Sequence, residues 1–109
     1  MAIYTRTGDG GQTHGPCGRR VTKGSPFCGA VGTLDELNCQ LGLCLGACDK
    51  AGFTELADAL DAAQRELFAA GSLLAGAAKP DDADALARAV GRMERMIDRL
   101  GARLPALHF

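Results

Sequence analysis

From Ser25 onward, the chain repeats apolar residues with the period of an α-helix. In the first segment they recur at alternating spacings of four and three, which places them along one side of a helix. This stripe, which also contains the polar Asn38, consists of Phe27, Val31, Leu34, Asn38, Leu41, Leu45 and Cys48. Ser25 is a favourable N-cap, and Pro26 suits the first helical position because no hydrogen-bond donor is needed there. The pattern predicts a helix that ends near Lys50, with Gly52 as its stop signal.

Two further segments show the same rhythm and predict two more helices. The second begins with Thr54 as its expected N-cap and ends before Gly76 to Pro80. Its stripe consists of Leu56, Leu60, Ala63, Leu67, Ala70 and Leu74. The third begins near Asp81, where an acidic first turn suits the helix dipole, and Pro105 stops it. Its stripe consists of Leu86, Val90, Met93, Ile97, Leu100 and Leu104. Three such helices with short links predict an all-α fold, an antiparallel helical bundle with crossing angles of roughly 20°.

Additional apolar side chains lie off these stripes. They are Leu37, Leu43, Cys44, Leu73, Met96 and Leu107. A helix with apolar residues outside its main stripe is typically buried on a second face, which three helices alone would not cover. The chain also ends on a largely apolar stretch from Leu104 to Phe109, without the polar residues usual at a terminus. The sequence therefore predicts that further chain or neighbouring subunits cover these surfaces.

The first 24 residues have no helical periodicity and are rich in glycine, so they are predicted to form a loop after a short extended piece from Ile3 to Thr5. Positions 5–13 gather hydroxyls, a guanidinium and three glycines. Such a loop can aim backbone N–H groups and hydroxyls at a phosphate chain. It matches neither the Walker A motif nor a dinucleotide fingerprint. From these residues alone, a polyphosphate cradle and a plain turn both remain open.

Two charged positions add candidate chemistry. Lys23 follows Arg19 and Arg20 just before the first helix, so the three cations either meet an anion held by the loop or are simply solvated. Asp35 lies beside the first apolar stripe, and no basic group of the predicted helices faces it. It is therefore either a solvated surface carboxylate or the partner of a cation on another chain or on further sequence.

Composition excludes several classes of function. A chain of 109 residues suits one domain, and a hydrophobic fraction of 47% is enough for a packed core. The formal net charge of -1 arises from nearly equal numbers of acids and bases, so neither nucleic acid nor an anionic membrane is favoured as a partner. No apolar run approaches the roughly 18 residues of a membrane span, and the N-terminus does not resemble a signal peptide. A cytoplasmic location is therefore expected.

The five cysteines are expected to be reduced thiols. Their number is odd, and four of them lie on the first predicted helix, where close neighbours rarely reach disulfide geometry. Cys44 and Cys48 are spaced so that they could share a metal ion, but no second Cys or His pair completes a tetrahedral site. Packing is the preferred interpretation, and no metal site is expected.

Three motifs, taken together, carry a resemblance to a known family. The stretches Ile3 to Asp9, Arg20 to Lys23 and Gly32 to Asn38 resemble, in order and spacing, the PduO-type ATP:cob(I)alamin adenosyltransferases. The segments 64–74 and 93–105 resemble that family's second and third helices. The resemblance implies one domain over residues 1–109, with an ATP-binding loop (1–24) followed by the helices (25–109) of a ferritin-like five-helix bundle. The family's fourth and fifth helices have no counterpart in these residues.

The resemblance also implies an assembly and a set of site residues. The family forms homotrimers with each active site between two subunits. The residues implied to hold ATP are Thr5, Arg6, Thr7, Gly8, Thr13 and Lys23. Asp35 is implied to form an intersubunit salt bridge with an arginine from the fourth helix of a neighbouring subunit. Phe109 is implied to contact the corrinoid and displace its lower ligand.

The implied reaction transfers the 5′-deoxyadenosyl group of ATP, accompanied by Mg²⁺, to the cobalt of cob(I)alamin and releases triphosphate. It needs no general base, because Co(I) itself is the nucleophile. One alternative is a non-catalytic, truncated helical module that binds ATP or a corrinoid. Another is a purely structural bundle in which the glycine-rich loop is only a connection. Turnover, ATP binding without turnover, and the absence of both would separate the three hypotheses.

Overall fold

The computed structural model describes residues 3–77 and 81–105, and three helices make up most of this part. They are α1 (Pro26–Ala51), α2 (Thr54–Leu74) and α3 (Asp82–Gly101). The predicted all-α fold is confirmed, and each helix begins and ends within a few residues of its predicted bounds. None of the helices in the described ranges is long and apolar enough to cross a membrane.

The ends of α1 follow the predicted capping signals. The Ser25 hydroxyl accepts a hydrogen bond from the Cys28 backbone N–H at 3.3 Å, and Pro26 occupies the first turn. At the other end, Gly52 takes a left-handed conformation with φ 76°, which costs glycine little. Its N–H donates to the carbonyl oxygens of Cys48 and Asp49, so the last turn of the helix is closed. Ser25 and Gly52 therefore set the length of α1.

The prediction that Thr54 caps α2 is wrong by one residue. Phe53 holds the N-cap position and makes no side-chain capping bond, while Thr54 is already helical. The reason lies in the shortness of the link. The Phe53 N–H donates to the Cys48 carbonyl oxygen at 3.0 Å, and the Phe53 carbonyl oxygen accepts from the Ala57 N–H at 2.9 Å. Phe53 thus closes the last turn of α1 and also accepts the first hydrogen bond of α2.

The main packing of the molecule lies between α1 and α2. The predicted α1 stripe is half-buried along its length, and Cys48 and Ala57 are buried. The Gln64 side-chain amide also donates to the Asn38 carbonyl oxygen at 2.9 Å. A Cβ atom on Gly42 would lie 3.1 Å from the Gln64 amide nitrogen, so the glycine leaves room for this bond. The antiparallel pair is therefore held by apolar contact and by one polar tie between the helices.

Helix α3 contacts α2 through a different face from the one predicted. Ala89 is buried, Arg92 forms an ion pair with Glu66, and Arg99 lies 3.6 Å from Glu55. The contacting positions are each one residue earlier than the apolar stripe, a rotation of about 100° around the helix. Small Ala89 permits close approach, and the two arginines reach acidic residues of α2.

Part of the predicted stripe of α3 is consequently exposed, whereas Leu86 is half-buried. Val90 is 55% exposed and Ile97 66% exposed, with Met93 and Leu100 also exposed. The expectation that this stripe packs within the bundle is therefore wrong for Val90 and Ile97 in the described chain. Leu43 and Phe68 are 70% and 75% exposed on α1 and α2. These apolar faces agree with the prediction that three helices do not cover all their apolar surface.

The N-terminal segment is more ordered than the predicted loop. It contains a hairpin of β1 (Gln12–His14) and β2 (Arg20–Thr22), antiparallel, with a short 3₁₀ turn between the strands. Gly15 is buried at this turn, and a Cβ atom there would lie 2.7 Å from Val21 Cγ1. Strands of three residues are too short for an alternating pattern to reveal them. The extended piece beginning at Ile3 forms no strand.

The hairpin lies against one end of the helix pair. Gly76, just after α2, has φ 72°, and a Cβ atom on it would lie 3.0 Å from the Cys17 backbone nitrogen. The Ser25 N–H donates to the Thr22 carbonyl oxygen at 3.0 Å, which ties the second strand to the start of α1. The loop before the hairpin is therefore held near the first turn of α1 and the last turn of α2.

Candidate functional site

The glycine-rich loop folds into two overlapping turns. The Asp9 N–H donates to the Arg6 carbonyl oxygen and the Gly11 N–H to the Gly8 carbonyl oxygen, each at 3.2 Å. Arg6 and Gly11 have φ of 57° and 81°, so the backbone is left-handed at both positions. In residues 3–77 and 81–105, the N–H groups of Thr7, Gly8 and Gly10 have no acceptor. The loop therefore presents free donors to an anion.

Lys23 lies directly against this loop. Its backbone N–H donates to the Gly11 carbonyl oxygen at 2.9 Å. Its side chain reaches Gly8, where a Cβ atom would lie 3.2 Å from Lys23 Nζ and 3.3 Å from the Gln12 carbonyl oxygen. Within the described part of the chain, Lys23 forms no ion pair. The missing side chain of Gly8 thus allows the Lys23 ammonium group, which has no carboxylate partner in the described residues, to lie against the loop.

The hydroxyl and guanidinium side chains predicted to hold ATP do not form a single cluster of hydrogen bonds in the described residues. The Thr5 and Thr7 hydroxyl oxygens lie 3.0 Å apart. The Arg6 guanidinium carbon lies 5.3 Å from the centre of the Tyr4 ring, so this side chain stacks on the ring. Thr13 lies in β1 opposite Val21, and its side chain makes no hydrogen bond to the described residues. The structure brings Thr5 to Thr7 and Gly8 to Lys23, but in the described residues neither Arg6 nor Thr13 forms a hydrogen bond with the lysine.

Arg20 has a role that sequence reasoning missed. Its Nη2 donates to the Thr7 carbonyl oxygen at 2.6 Å and to the Gln12 carbonyl oxygen at 3.3 Å. The sequence suggested only a cation beside Arg19 and Lys23. The Arg19 side chain, by contrast, forms no hydrogen bond or ion pair with residues 3–77 or 81–105. No spacing in the sequence distinguishes these two neighbouring arginines; their difference arises from the hairpin.

A second cluster lies in the groove between α1 and α2. Asp35 is exposed and has no ion-pair partner in the described chain. One turn further, the Asn38 side-chain oxygen is buried without a hydrogen bond. Both residues line a cavity of about 200 Å³ together with Phe68 and Ser72. A carboxylate and an unsatisfied carbonyl-type oxygen side by side make a site for a hydrogen-bond donor, preferably a cationic one.

Comparison with known proteins identifies the family. The family model described as cobalamin adenosyltransferase matches residues 3–109, nearly the whole chain. The chain belongs to the cobalamin adenosyltransferase family. It is 40% identical to the corrinoid adenosyltransferase PduO of Salmonella typhimurium over 99% of this chain and 32% of that protein. It is 39% identical to a corrinoid adenosyltransferase of Bacillus subtilis over 98% of this chain and 55% of that protein. The chain therefore spans between a third and just over half of these relatives.

The remaining candidates in this member of the cobalamin adenosyltransferase family are the cysteines and Phe109. All five cysteines are free, with Cys48 buried and Cys44 exposed on the same helix. Among the described residues, no group of three or more His, Cys, Asp or Glu side chains is placed to hold a metal ion. Phe109, the candidate corrinoid contact, lies outside the described residues.

Proposed function

We propose that this chain binds ATP on its N-terminal loop and acts as a corrinoid adenosyltransferase. The reaction transfers the 5′-deoxyadenosyl group of ATP to the cobalt of cob(I)alamin and releases triphosphate. The observation that carries the proposal is the Lys23 ammonium group held against Gly8, in a loop whose Thr7, Gly8 and Gly10 N–H groups have no acceptor in the described chain. The relatives' names support a corrinoid as one substrate, and the donors and charge of the loop support a polyphosphate as the other.

The loop residues would act on the leaving group. Cobalt attacks C5′ of ATP with its electron pair, and the bond from C5′ to the triphosphate oxygen breaks as the cobalt–carbon bond forms. Lys23 and the free N–H groups would stabilise the charge on the departing triphosphate, and Mg²⁺ would accompany ATP. Of the paired Thr5 and Thr7 hydroxyls, whichever accepts keeps its own O–H free for a phosphate oxygen. Holding ATP in line with the nucleophile supplies the rest of the catalysis.

The proposed active assembly is a cytoplasmic homotrimer of five-helix subunits, with sites between neighbours. The exposed apolar faces of the three helices support a need for more protein around them. Asp35 is proposed to pair with an arginine of the adjacent subunit, and the unsatisfied Asn38 oxygen beside it supports a donor arriving at this groove. Phe109 is proposed to displace the lower ligand of the corrinoid.

In an assembly that contains the fourth helix of a neighbouring subunit, Asp35→Ala is expected to weaken subunit association by about 3–5 kcal/mol, because it would leave that helix's arginine buried and unpaired. Sedimentation equilibrium over a range of concentrations would measure this change. Glu36→Ala is the matched control, since Glu36 is the next residue, is exposed and carries the same charge. Equal association of the two variants would remove Asp35 from the interface.

Gly8→Ala is expected to weaken ATP binding by about five- to tenfold. The added methyl group would meet Lys23 Nζ at 3.2 Å and the Gln12 carbonyl oxygen at 3.3 Å, and the ammonium group is the part that can move. Isothermal titration calorimetry would give the affinity. Gly10→Ala is the control, because a Cβ atom there has no neighbour within 4 Å. A loss in Gly10→Ala as large as in Gly8→Ala would indicate backbone stiffening rather than displacement of Lys23.

The first test of the proposal is ATP binding to the 109-residue chain, measured by calorimetry with the oligomeric mass determined on the same sample. Binding by a trimer, followed by cobalt adenosylation in a spectroscopic assay, would support the enzyme. Binding without turnover would favour the alternative, a non-catalytic ATP-binding module. A folded chain that does not bind ATP would overturn the proposal.

A further inference from the structure

The Arg20 side chain connects the two ends of the glycine-rich turn. Its Nη2 donates to the Thr7 carbonyl oxygen, just before Gly8, and to the Gln12 carbonyl oxygen, just after Gly11. A guanidinium group can bridge two such acceptors because its donors are fixed in one plane. Arg20 itself belongs to β2, which the hairpin ties to β1. The turn is therefore fastened to the hairpin by a side chain.

The hydrogen bond from Arg20 to the Thr7 carbonyl oxygen determines the direction of the Gly8 N–H. The Thr7 carbonyl and the Gly8 N–H belong to one peptide unit, and the described chain contains no cis peptide bond. In a trans peptide, the C=O and N–H bonds point in opposite directions. Because the Thr7 carbonyl is held toward Arg20, the Gly8 N–H points away from it. That N–H has no acceptor in the described ranges.

We propose that Arg20 is a positioning residue for the nucleotide. It holds the peptide between Thr7 and Gly8 so that the Gly8 N–H faces the ATP phosphates, and it does not bind the phosphates itself. Lys23 contributes positive charge at the same site, whereas Arg20 fixes the orientation of the peptide between Thr7 and Gly8. The inference rests on the proposed ATP function of the loop, but its structural part, the ordering of the turn, can be measured without ATP.

The test compares Arg20→Gln with Arg19→Gln, a neighbouring variant that loses the same charge but no side-chain bond. Arg20→Gln is expected to weaken ATP binding about tenfold, the effect of losing two hydrogen bonds, and Arg19→Gln by less than about twofold. Arg20→Lys, which can reach one carbonyl but not span both, should fall between them. Without ATP, hydrogen exchange at the Asp9 and Gly11 amides should accelerate in Arg20→Gln alone.

Salt dependence separates positioning from direct phosphate contact. A lost contact between a cation and a phosphate lowers the slope of log affinity against log salt, whereas a lost positioning bond does not. Arg20→Gln is expected to keep the slope of Arg19→Gln. A lower slope with unchanged exchange would overturn the inference in favour of direct contact, and equal affinities of the two variants would overturn it outright. No ATP binding by the unaltered chain would instead defeat the proposed function, while the exchange data would still report whether Arg20 orders the turn.

Discussion

Lys23→Ala is expected to weaken ATP binding by about 1.5–3 kcal/mol, the range for a hydrogen bond to a charged group. The ammonium group lies against Gly8 and, among the described residues, has no carboxylate to neutralise it. Its charge is thus available to the phosphates. The backbone N–H of residue 23 still donates to Gly11 in the variant, so the loop should keep its shape. Calorimetric titration with ATP and with inorganic triphosphate would measure the loss.

Two companion variants sharpen this result. Lys50→Ala removes an equal charge from the last turn of α1, far along the helix from the loop, and should leave the affinity unchanged. Lys23→Arg keeps the charge and should retain most of the binding. Equal losses of ATP and triphosphate affinity would indicate that Lys23 acts on the phosphates. An ATP affinity unchanged in Lys23→Ala would take this residue out of the site.

Gly15→Ala is expected to destabilise the hairpin by about 1–3 kcal/mol, the usual cost of forcing extra atoms into a packed position. The new methyl carbon would lie 2.7 Å from Val21 Cγ1 and 3.0 Å from Val21 Cγ2, distances that require the Val21 side chain or the strands to move. The melting of the helices would report this change poorly, because α1 and α2 pack largely without the hairpin. Hydrogen exchange at the Gly15 amide, which donates to the Arg19 carbonyl oxygen, would report it directly.

The control for this variant is Gly24→Ala, which lies just beyond β2 and has open space where its Cβ atom would be. It should leave exchange in the hairpin unchanged. Because Arg20 and Lys23 belong to or follow β2, Gly15→Ala should also weaken ATP binding if the loop binds the nucleotide. A hairpin that keeps its protection in Gly15→Ala would mean that Val21 moves aside at little cost.

The helices could be predicted from the sequence because their signals are local. The stripe from Phe27 to Cys48, the Ser25 cap and the Gly52 stop each act within one or two turns, and the structure confirms all three. The loop is predicted as a candidate phosphate site from equally local signals, and its binding of ATP stays a prediction. Glycines, hydroxyls and Lys23 occur close together in sequence, and the structure brings Gly8 and Lys23 into contact.

The remaining features depend on contacts that no local pattern encodes. Helix α3 has a regular apolar stripe, yet Ala89 and the ion pair of Arg92 with Glu66 decide which face meets α2. The role of Arg20 requires knowing that a three-residue hairpin folds it back onto Thr7. Asn38 lies on the predicted apolar stripe, where an amide needs a partner, but only the structure shows that its side-chain oxygen has none in the described residues. Periodicity gives the elements, whereas small residues and single polar bonds set their rotation and their partners.

The exposed stripe of α3 also bears on what stability means for this protein. In the described chain, the buried apolar side chains are only Cys48, Ala57 and Ala89, so little of the apolar surface is protected inside one copy. A chain of this kind gains most of its missing burial when another polypeptide covers Val90 and Ile97. Folding and association then become one equilibrium governed by mass action. Dilution would then unfold such a protein as a denaturant does, and its melting temperature would depend on the protein concentration as well as on the sequence.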